Sequence, residues 1–120
     1  MSDRRILPGM PLDGSLSAAA RDDRVEFTFE VTNPDEDPID LQFSDAQEAD
    51  LAIADADGTE VWRWSVGRMF AQMLQRKQLD PDETATYGFE WENPEPGEYE
   101  ARATLEASNA DCEATTAFTV

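Results

Sequence analysis

The sequence predicts an all-β fold in which antiparallel sheets pack face to face, and three observations support this class. Apolar and polar residues alternate with period two through most of the 120 residues, as they do in strands with one buried and one solvated face. Clusters of Pro, Gly, Asp and Asn separate the alternating segments and supply the turns between them. The segments number about seven to nine and carry no internal repeat, which is typical of a β-sandwich.

The clearest strand covers residues 24–32, where Val25, Phe27, Phe29 and Val31 lie on one face and charged or threonine residues on the other. Because each strand has a single apolar face, its other face is expected to lie in solvent. The same alternation predicts further strands, which cover residues 39–43, 51–53, 84–91, 98–106, 112–120 and, more weakly, 12–20.

One segment, residues 68–76, breaks the alternation. It pairs Met69 with Met73 and Phe70 with Leu74, each at a spacing of four residues. Residues four apart lie on the same face of a helix. The pattern therefore predicts one short helical segment near 68–76, inserted between strands.

The segment Asp55–Gly58 has the composition of a hairpin turn, since Gly58 can adopt a positive φ. Its acidic residues superficially resemble a calcium-binding loop. Counted from Asp55, however, the sixth and twelfth positions are Glu60 and Val66, where a calcium loop has Gly and Glu. We therefore interpret it as a turn and expect no metal site.

A second turn, Pro94–Gly97, precedes Tyr99. This arrangement resembles the corner of immunoglobulin-like domains, in which a tyrosine hydroxyl bonds back to the turn before it. The predicted architecture is accordingly an immunoglobulin-like antiparallel β-sandwich.

The composition is strongly acidic, with 27 acidic residues against nine basic ones and a net charge of −18. Such a charge repels nucleic acid and anionic membranes, so neither is an expected partner. Hydrophobic residues make up 40% and aromatic residues 9% of the chain, which is too much apolar surface for a disordered acidic tail.

The basic residues are equally informative, because eight of the nine are Arg and Lys77 is the only lysine. Molar salt shortens the electrostatic screening length to about 3 Å and relieves the repulsion between carboxylates. An excess of carboxylates with almost no lysine indicates adaptation to a high-salt cytoplasm.

The length predicts one domain, residues 12–120, preceded by a tail of residues 1–11. Pro8 and Gly9 interrupt any apolar signal region, and the longest uncharged run is far shorter than the ~20 residues that cross a bilayer. Cys112 is the only cysteine, so no disulfide can form within the chain. We therefore expect a cytoplasmic protein.

Catalytic signals are lacking, since the chain contains no histidine. Cys112 has no imidazole to activate it and lies on the apolar face of the last predicted strand, as a buried structural thiol would. No phosphate-binding or nucleophile-elbow glycine pattern occurs. The sequence predicts a protein that is not an enzyme and that uses no metal or cofactor.

The best candidate for a partner-binding surface begins at Arg63 and Trp64, in a predicted strand. Trp62 and Trp64 share one face of this strand, and Arg63 lies on the other face. Tryptophans dominate many protein interfaces, but they also fill the gap between sheets, and both interpretations stay open for Trp62 and Trp64.

The candidate surface continues through Arg68, Met69, Phe70 and Met73, in a stretch that is uncharged from Met69 to Gln75. Depletion of charge with enrichment in Met, Arg and aromatic residues is typical of interface cores. The competing interpretation is a plug that closes one end of the sandwich. Under that interpretation Phe70 is buried while Arg68 and Met69 lie nearer the rim.

The order of these residues resembles that of the intracellular proteinase inhibitor (BsuPI-type) family of immunoglobulin-like domains, over about residues 12–107. The most specific part is the Trp-Arg-Trp-Ser sequence at 62–65 followed by Phe-Ala-Gln at 70–72. The departure is Asp82, at a turn position where the family usually has Gly. The matching residues are Asn33, 41–47, Asp50, Gly58, 61–65, 70–72, 79–81, Trp91 and 97–99.

This resemblance implies a non-enzymatic binder that inhibits an intracellular subtilisin-like serine protease. Likeness of fold does not by itself carry function, so a second function remains open: a structural or interaction module for another protein. An exposed, rigid loop favours inhibition, whereas a bare sheet edge favours assembly.

Overall fold

The computed structural model describes residues 12–120, so the predicted tail of residues 1–11 lies outside the described residues. Within the described part the chain forms nine strands and no helix. None of this part forms a helix long and apolar enough to cross a membrane. The strands are β1 (Asp13–Ala20), β2 (Arg24–Thr32), β3 (Ile39–Phe43), β4 (Ala49–Asp55), β5 (Glu60–Arg63), β6 (Gln75–Leu79), β7 (Thr84–Glu92), β8 (Glu98–Leu105) and β9 (Glu113–Thr119).

All the strand pairs are antiparallel. One sheet has the order β1-β2-β7, a second has the order β5-β4-β8-β9, and β3 pairs with β6 in a short two-stranded ribbon. The all-β prediction is therefore confirmed.

The core lies between the two larger sheets. Phe27 of β2 meets Phe118 of β9 edge to face, with ring centroids 5.3 Å apart. Trp62 of β5 stacks on Trp91 of β7 at 6.0 Å. Because each of these contacts joins one large sheet to the other, the two sheets face each other as the alternation predicts, and the antiparallel β-sandwich is confirmed.

Both predicted turns form. At the β4–β5 hairpin Gly58 has a φ of +86°, and the Asp55 carboxylate accepts hydrogen bonds from the backbone N–H groups of Asp57 and Thr59, each at 3.0 Å. At the other corner the Tyr99 hydroxyl donates to the carbonyl oxygen of Glu95 at 2.7 Å. The latter bond is the tyrosine contact expected of an immunoglobulin-like corner.

A buried asparagine ties the end of β2 to β6. The Asn33 side chain is fully buried, and its amide donates to the carbonyl oxygens of Asp37 at 2.8 Å and Leu79 at 3.0 Å. Its own carbonyl oxygen accepts from the N–H of Asp35. The buried amide is thus satisfied at both ends, as burial of a polar group requires.

The helix predicted near 68–76 is wrong. Gln75 and Arg76 begin strand β6, and the residues before them form neither helix nor strand. A helix needs one face to bury, whereas Met69 and Leu74 are 97% and 86% exposed. The carbonyl of Ala71 accepts a hydrogen bond from the N–H of Ala46, on a different segment.

Candidate functional site

The residues that follow β5 are held by one buried carboxylate. Asp50 of β4 is only 5% exposed, yet its two oxygens accept four hydrogen bonds. One oxygen accepts from the N–H of Leu51 at 2.8 Å and of Ser65 at 3.1 Å, and the other accepts from the Ser65 hydroxyl at 2.7 Å and the Arg63 guanidinium at 3.1 Å. A buried carboxylate so fully satisfied fixes the turn that leaves β5.

Arg63 is occupied by these intramolecular pairs. Its guanidinium donates to both oxygens of Glu60, at 2.8 and 3.2 Å, as well as to Asp50. The hydrogen bonds that Arg63 donates to Glu60 and Asp50 raise the pKa of its guanidinium above the ordinary value. Arg63 therefore stabilises the turn and presents a guanidinium whose charge is already paired.

Trp64 is half-buried and joins the turn to the core. Its ring meets Phe89 of β7 edge to face, with centroids 5.1 Å apart, and packs against Phe70 at 5.7 Å. The backbone N–H of Trp64 donates to the carbonyl oxygen of Leu51 at 2.9 Å. Trp62 and Trp64 thus both pack against the core, as expected if the tryptophan pair fills the gap between the sheets.

Arg68 folds back over the outer face of Trp64. The guanidinium carbon lies 4.3 Å from the ring centroid, and Nε donates to the Trp64 carbonyl oxygen at 2.8 Å. A guanidinium at this distance makes a favourable cation–π contact. Arg68 therefore closes the turn at Val66 and Gly67, and Gly67 itself adopts a positive φ of +85°.

On both sides of Arg68 the chain carries four exposed apolar side chains, which we call the apolar strip: Val66, Met69, Met73 and Leu74. Val66 is 74% and Met73 54% exposed, and Met69 and Leu74 are more exposed still. Large apolar side chains that stay exposed so close together in the sequence are a candidate interaction site when the rest of the surface is polar. Here the surroundings belong to a chain with a net charge of −18.

The apolar strip is supported at both ends. Phe70 turns inward and packs on Trp64, while the carbonyl of Ala71 accepts from the N–H of Ala46 at 2.9 Å. At the start of β6 the Gln75 side chain donates to the carbonyl oxygen of Asp45 at 3.0 Å. The segment therefore lacks regular secondary structure but is held by side-chain and backbone contacts.

The six predicted binding residues fall into two groups. Arg63, Trp64, Phe70 and Arg68 form the support, since each is engaged in the contacts described above. Met69 and Met73 project from it into solvent. Sequence reasoning missed three members of the site: the exposed residues Val66 and Leu74, and the organising carboxylate Asp50. The hairpin could have revealed Asp50, because the register that pairs Ile53 with Trp62 brings Asp50 opposite Ser65.

Two side chains outside this site, Cys112 and Tyr87, have pKa values that burial raises. Burial, together with the charges of Asp13 and Glu113, raises the pKa of Cys112 to about 11, so this thiol stays protonated near neutral pH. Burial, with a hydrogen bond to Glu48, raises the pKa of Tyr87. Residues 12–120 contain no group of three or more His, Cys, Asp or Glu side chains arranged to hold a metal ion.

Comparison with known families gives one match. The family model described as BsuPI, intracellular proteinase inhibitor, matches residues 12–110. That range contains every residue assigned above to the turn, its support and the apolar strip. No curated protein matches the chain.

Several solved structures share the fold at low identity. The CARDB domain of PF1109 from Pyrococcus furiosus, in complex with di-metal ions, is 16% identical with a TM-score of 0.50, and the alignment covers 97% of each chain. A penta-heme cytochrome c552 from Thermochromatium tepidum is 9% identical with a TM-score of 0.58, covering 90% of this chain and 40% of that one.

The β-glucosidase from Kluyveromyces marxianus, in complex with glucose, is 14% identical with a TM-score of 0.52. The alignment covers 92% of this chain but only 14% of the β-glucosidase. This chain therefore spans only a small part of the length of the β-glucosidase. At such identities the likeness concerns the fold alone.

Proposed function

Because the chain belongs to the BsuPI family of intracellular proteinase inhibitors, we propose that it is a non-enzymatic protein-binding domain that inhibits an intracellular subtilisin-like serine protease. Residues 12–120 act as one immunoglobulin-like domain, and the apolar strip contacts the protease.

The observation that carries this proposal is the exposure of Met69. Its side chain is 97% exposed, although its neighbour Phe70 is anchored on Trp64. A side chain that gains nothing from burial within its own domain has a large apolar area available to a partner. Methionine also adapts its shape to a pocket, because its side chain is unbranched and flexible.

The support beneath Met69 favours inhibition over a loose contact. The turn is fixed by the hydrogen bonds that Asp50 accepts from Ser65 and Arg63. The Trp64 ring is in turn contacted by Arg68 and Phe70. A segment held in its bound conformation loses little entropy on association, which raises its affinity for a protease. A protease binds such a segment at its cleft and is blocked for as long as the complex persists.

The test compares Met69→Ala with Val61→Ala, an exposed apolar residue of β5 outside the strip. We expect Met69→Ala to weaken inhibition of an intracellular subtilisin-like protease by ~1–3 kcal/mol, measured as the inhibition constant in molar salt. Its melting midpoint should equal that of the unsubstituted protein, and Val61→Ala should inhibit normally. Undiminished inhibition by Met69→Ala would contradict the proposed contact.

The second candidate function, an interaction module that binds another protein without inhibiting a protease, is favoured by the edge of β7, which pairs only with β2 in the described part of the chain. It predicts a complex in which the protease keeps its full activity, or no complex with a protease at all. Pull-down in high salt, followed by an activity assay of the captured protein, distinguishes the two functions.

We further propose that the protein works in a high-salt cytoplasm. Most of its carboxylates have no basic partner within residues 12–120. The salt bridges found there involve six acidic residues: Asp23, Glu26, Glu48, Asp50, Glu60 and Glu90. Concentrated salt screens the remainder.

A further inference from the structure

The edge of the β1-β2-β7 sheet at β7 has no strand beside it in the described part of the chain. The strand that precedes β7 in the chain, β6, pairs with β3 instead. The free edge of β3 is covered, since the Asn109 side chain bonds to the backbone of Gln42 and Asp40, and Ser108 donates to Gln42. Among residues 12–120, no hydrogen bond from outside the sheet covers the β7 edge in this way.

The hydrogen bonds at the two ends of the β2–β7 pair establish which backbone groups face this edge. Asn33 donates its N–H to the carbonyl oxygen of Glu83, and Asn93 donates its N–H to the carbonyl oxygen of Asp23. Backbone groups alternate in direction along an antiparallel strand. The odd-numbered residues of β7 therefore bond to β2, and the N–H and C=O groups of Thr86, Gly88 and Glu90 point away from the sheet.

Two grooves run along this edge, and Trp64 lines both of them. The first, of about 370 Å³, is lined by Trp64, Phe70, Thr86 and Gly88 among others. The second, of about 400 Å³, is lined by Trp64, Gly88 and Glu90 among others. Outward-pointing backbone groups thus lie next to aromatic rings, with no side chain at Gly88 to obstruct them.

We propose that the β7 edge binds an extended segment of a partner protein, which adds to the sheet as a further strand. Strand addition of this kind combines main-chain hydrogen bonds with contacts from alternate side chains. The inference does not depend on the proposed inhibition, because it concerns the backbone edge of β7 rather than the apolar strip, and it applies to any partner with the right segment.

The surroundings of the edge select the chemistry of that segment. Its inward side chains face Trp64 and Phe70 and are therefore apolar. Its outward side chains lie beside the solvent face of β2 and β7, where Glu30 and Glu92 are exposed and Glu90 shares Arg24 with Glu26. A segment of alternating apolar and cationic residues complements both sides, whereas a second copy of this chain would bring its own net charge of −18.

The probe for the test is a capped peptide of alternating valine and arginine, studied in molar salt by amide hydrogen exchange and by peptide titration. Without peptide, the amides of Thr86, Gly88 and Glu90 should exchange rapidly while those of Tyr87 and Phe89 are protected. Saturating peptide should protect the even-numbered amides. The control is the same peptide N-methylated on the residues that face β7. It keeps every charge but should bind about tenfold more weakly or worse, because several backbone hydrogen bonds are lost.

Three results would overturn the proposal. Equal binding of the N-methylated peptide would mean that charge alone attracts the probe. Protection of the even-numbered amides in the isolated monomer would mean that the chain covers its own edge. Protection that appears only as the protein is concentrated, without peptide, would make a second copy the occupant.

Discussion

The carboxylate of Asp50 holds Ser65 with both of its oxygens, accepting the backbone N–H at 3.1 Å and the hydroxyl at 2.7 Å. The two residues are 15 positions apart and meet because the β4–β5 hairpin aligns them. The same carboxylate accepts from Arg63. One buried acidic group therefore determines the path of the chain from β5 toward Trp64 and the apolar strip.

Removal of this group should destabilise the protein substantially. We expect Asp50→Ala to lower the free energy of unfolding by about 2–4 kcal/mol, since Ser65 and Arg63 lose a charged acceptor in a buried position. Denaturant unfolding in molar salt measures the change. The exposed Asp40, whose side chain makes no such contacts, supplies the control variant Asp40→Ala, and an equal loss in both variants would contradict the assigned role.

One substitution in the turn before β7 should stabilise the folded protein. Asp82 has a φ of +66°, a left-handed conformation that glycine adopts without strain. Asp82→Gly should therefore raise the free energy of unfolding by about 0.5–1 kcal/mol. Asp57→Gly is the matched control, because Asp57 does not have a positive φ and gains only flexibility in the unfolded chain. Destabilisation by Asp82→Gly would show that the strain is compensated elsewhere.

Stability should depend strongly on salt. The screening length falls from about 30 Å at 0.01 M to about 3 Å at 1 M, so added salt weakens repulsion among the unpaired carboxylates. We expect the melting midpoint to rise steadily with potassium chloride up to molar concentrations. A midpoint that stays constant over this range would contradict the proposed high-salt environment.

Alkaline pH should weaken the fold through Cys112. Burial raises the pKa of this thiol from 9.0 to about 11, so the native state retains the proton to higher pH than the unfolded state. The resulting stabilisation is complete below pH 9 and is lost as the pH rises toward 11, an effect of up to about 2–3 kcal/mol. The measurement is the free energy of unfolding against pH.

The comparison variant for this titration is Cys112→Ala. Tyr87, whose pKa is also raised, contributes a similar loss at higher pH in both proteins. The difference between the two curves therefore isolates the thiol. Parallel curves from pH 8 to 11 would show that Cys112 ionises as easily in the folded protein as in the unfolded one.

Alternation predicted the strands that build the sandwich because their apolar side chains face a core, as in residues 24–32 and 84–91. It failed for β6, in which Leu79 is the only buried apolar residue and the polar side chains carry no periodic signal. It also failed near residues 68–76. There the spacing of Met69 and Met73 is that of a helix face, but neither side chain is buried.

The candidate site was predicted only in part. The sequence identifies Arg68, Met69, Phe70 and Met73 by composition alone, and composition does not distinguish support from contact surface. That distinction depends on Trp64. Its ring contacts Phe89 and Arg68 and so holds the support in place, whereas Met69 stays exposed to solvent.

The pairing of β2 with β7 also affects the order in which parts of the protein fold. Thr32 and Thr84 are hydrogen-bonded partners although 52 residues separate them, so this pair closes a long loop during folding. Loops of this length form more slowly than the local β4–β5 hairpin. The Asp50–Ser65 turn can therefore assemble early. Trp64 reaches its final environment only when Phe89 arrives with β7, so the candidate site forms late and the fluorescence of Trp64 reports the final docking of the sheets.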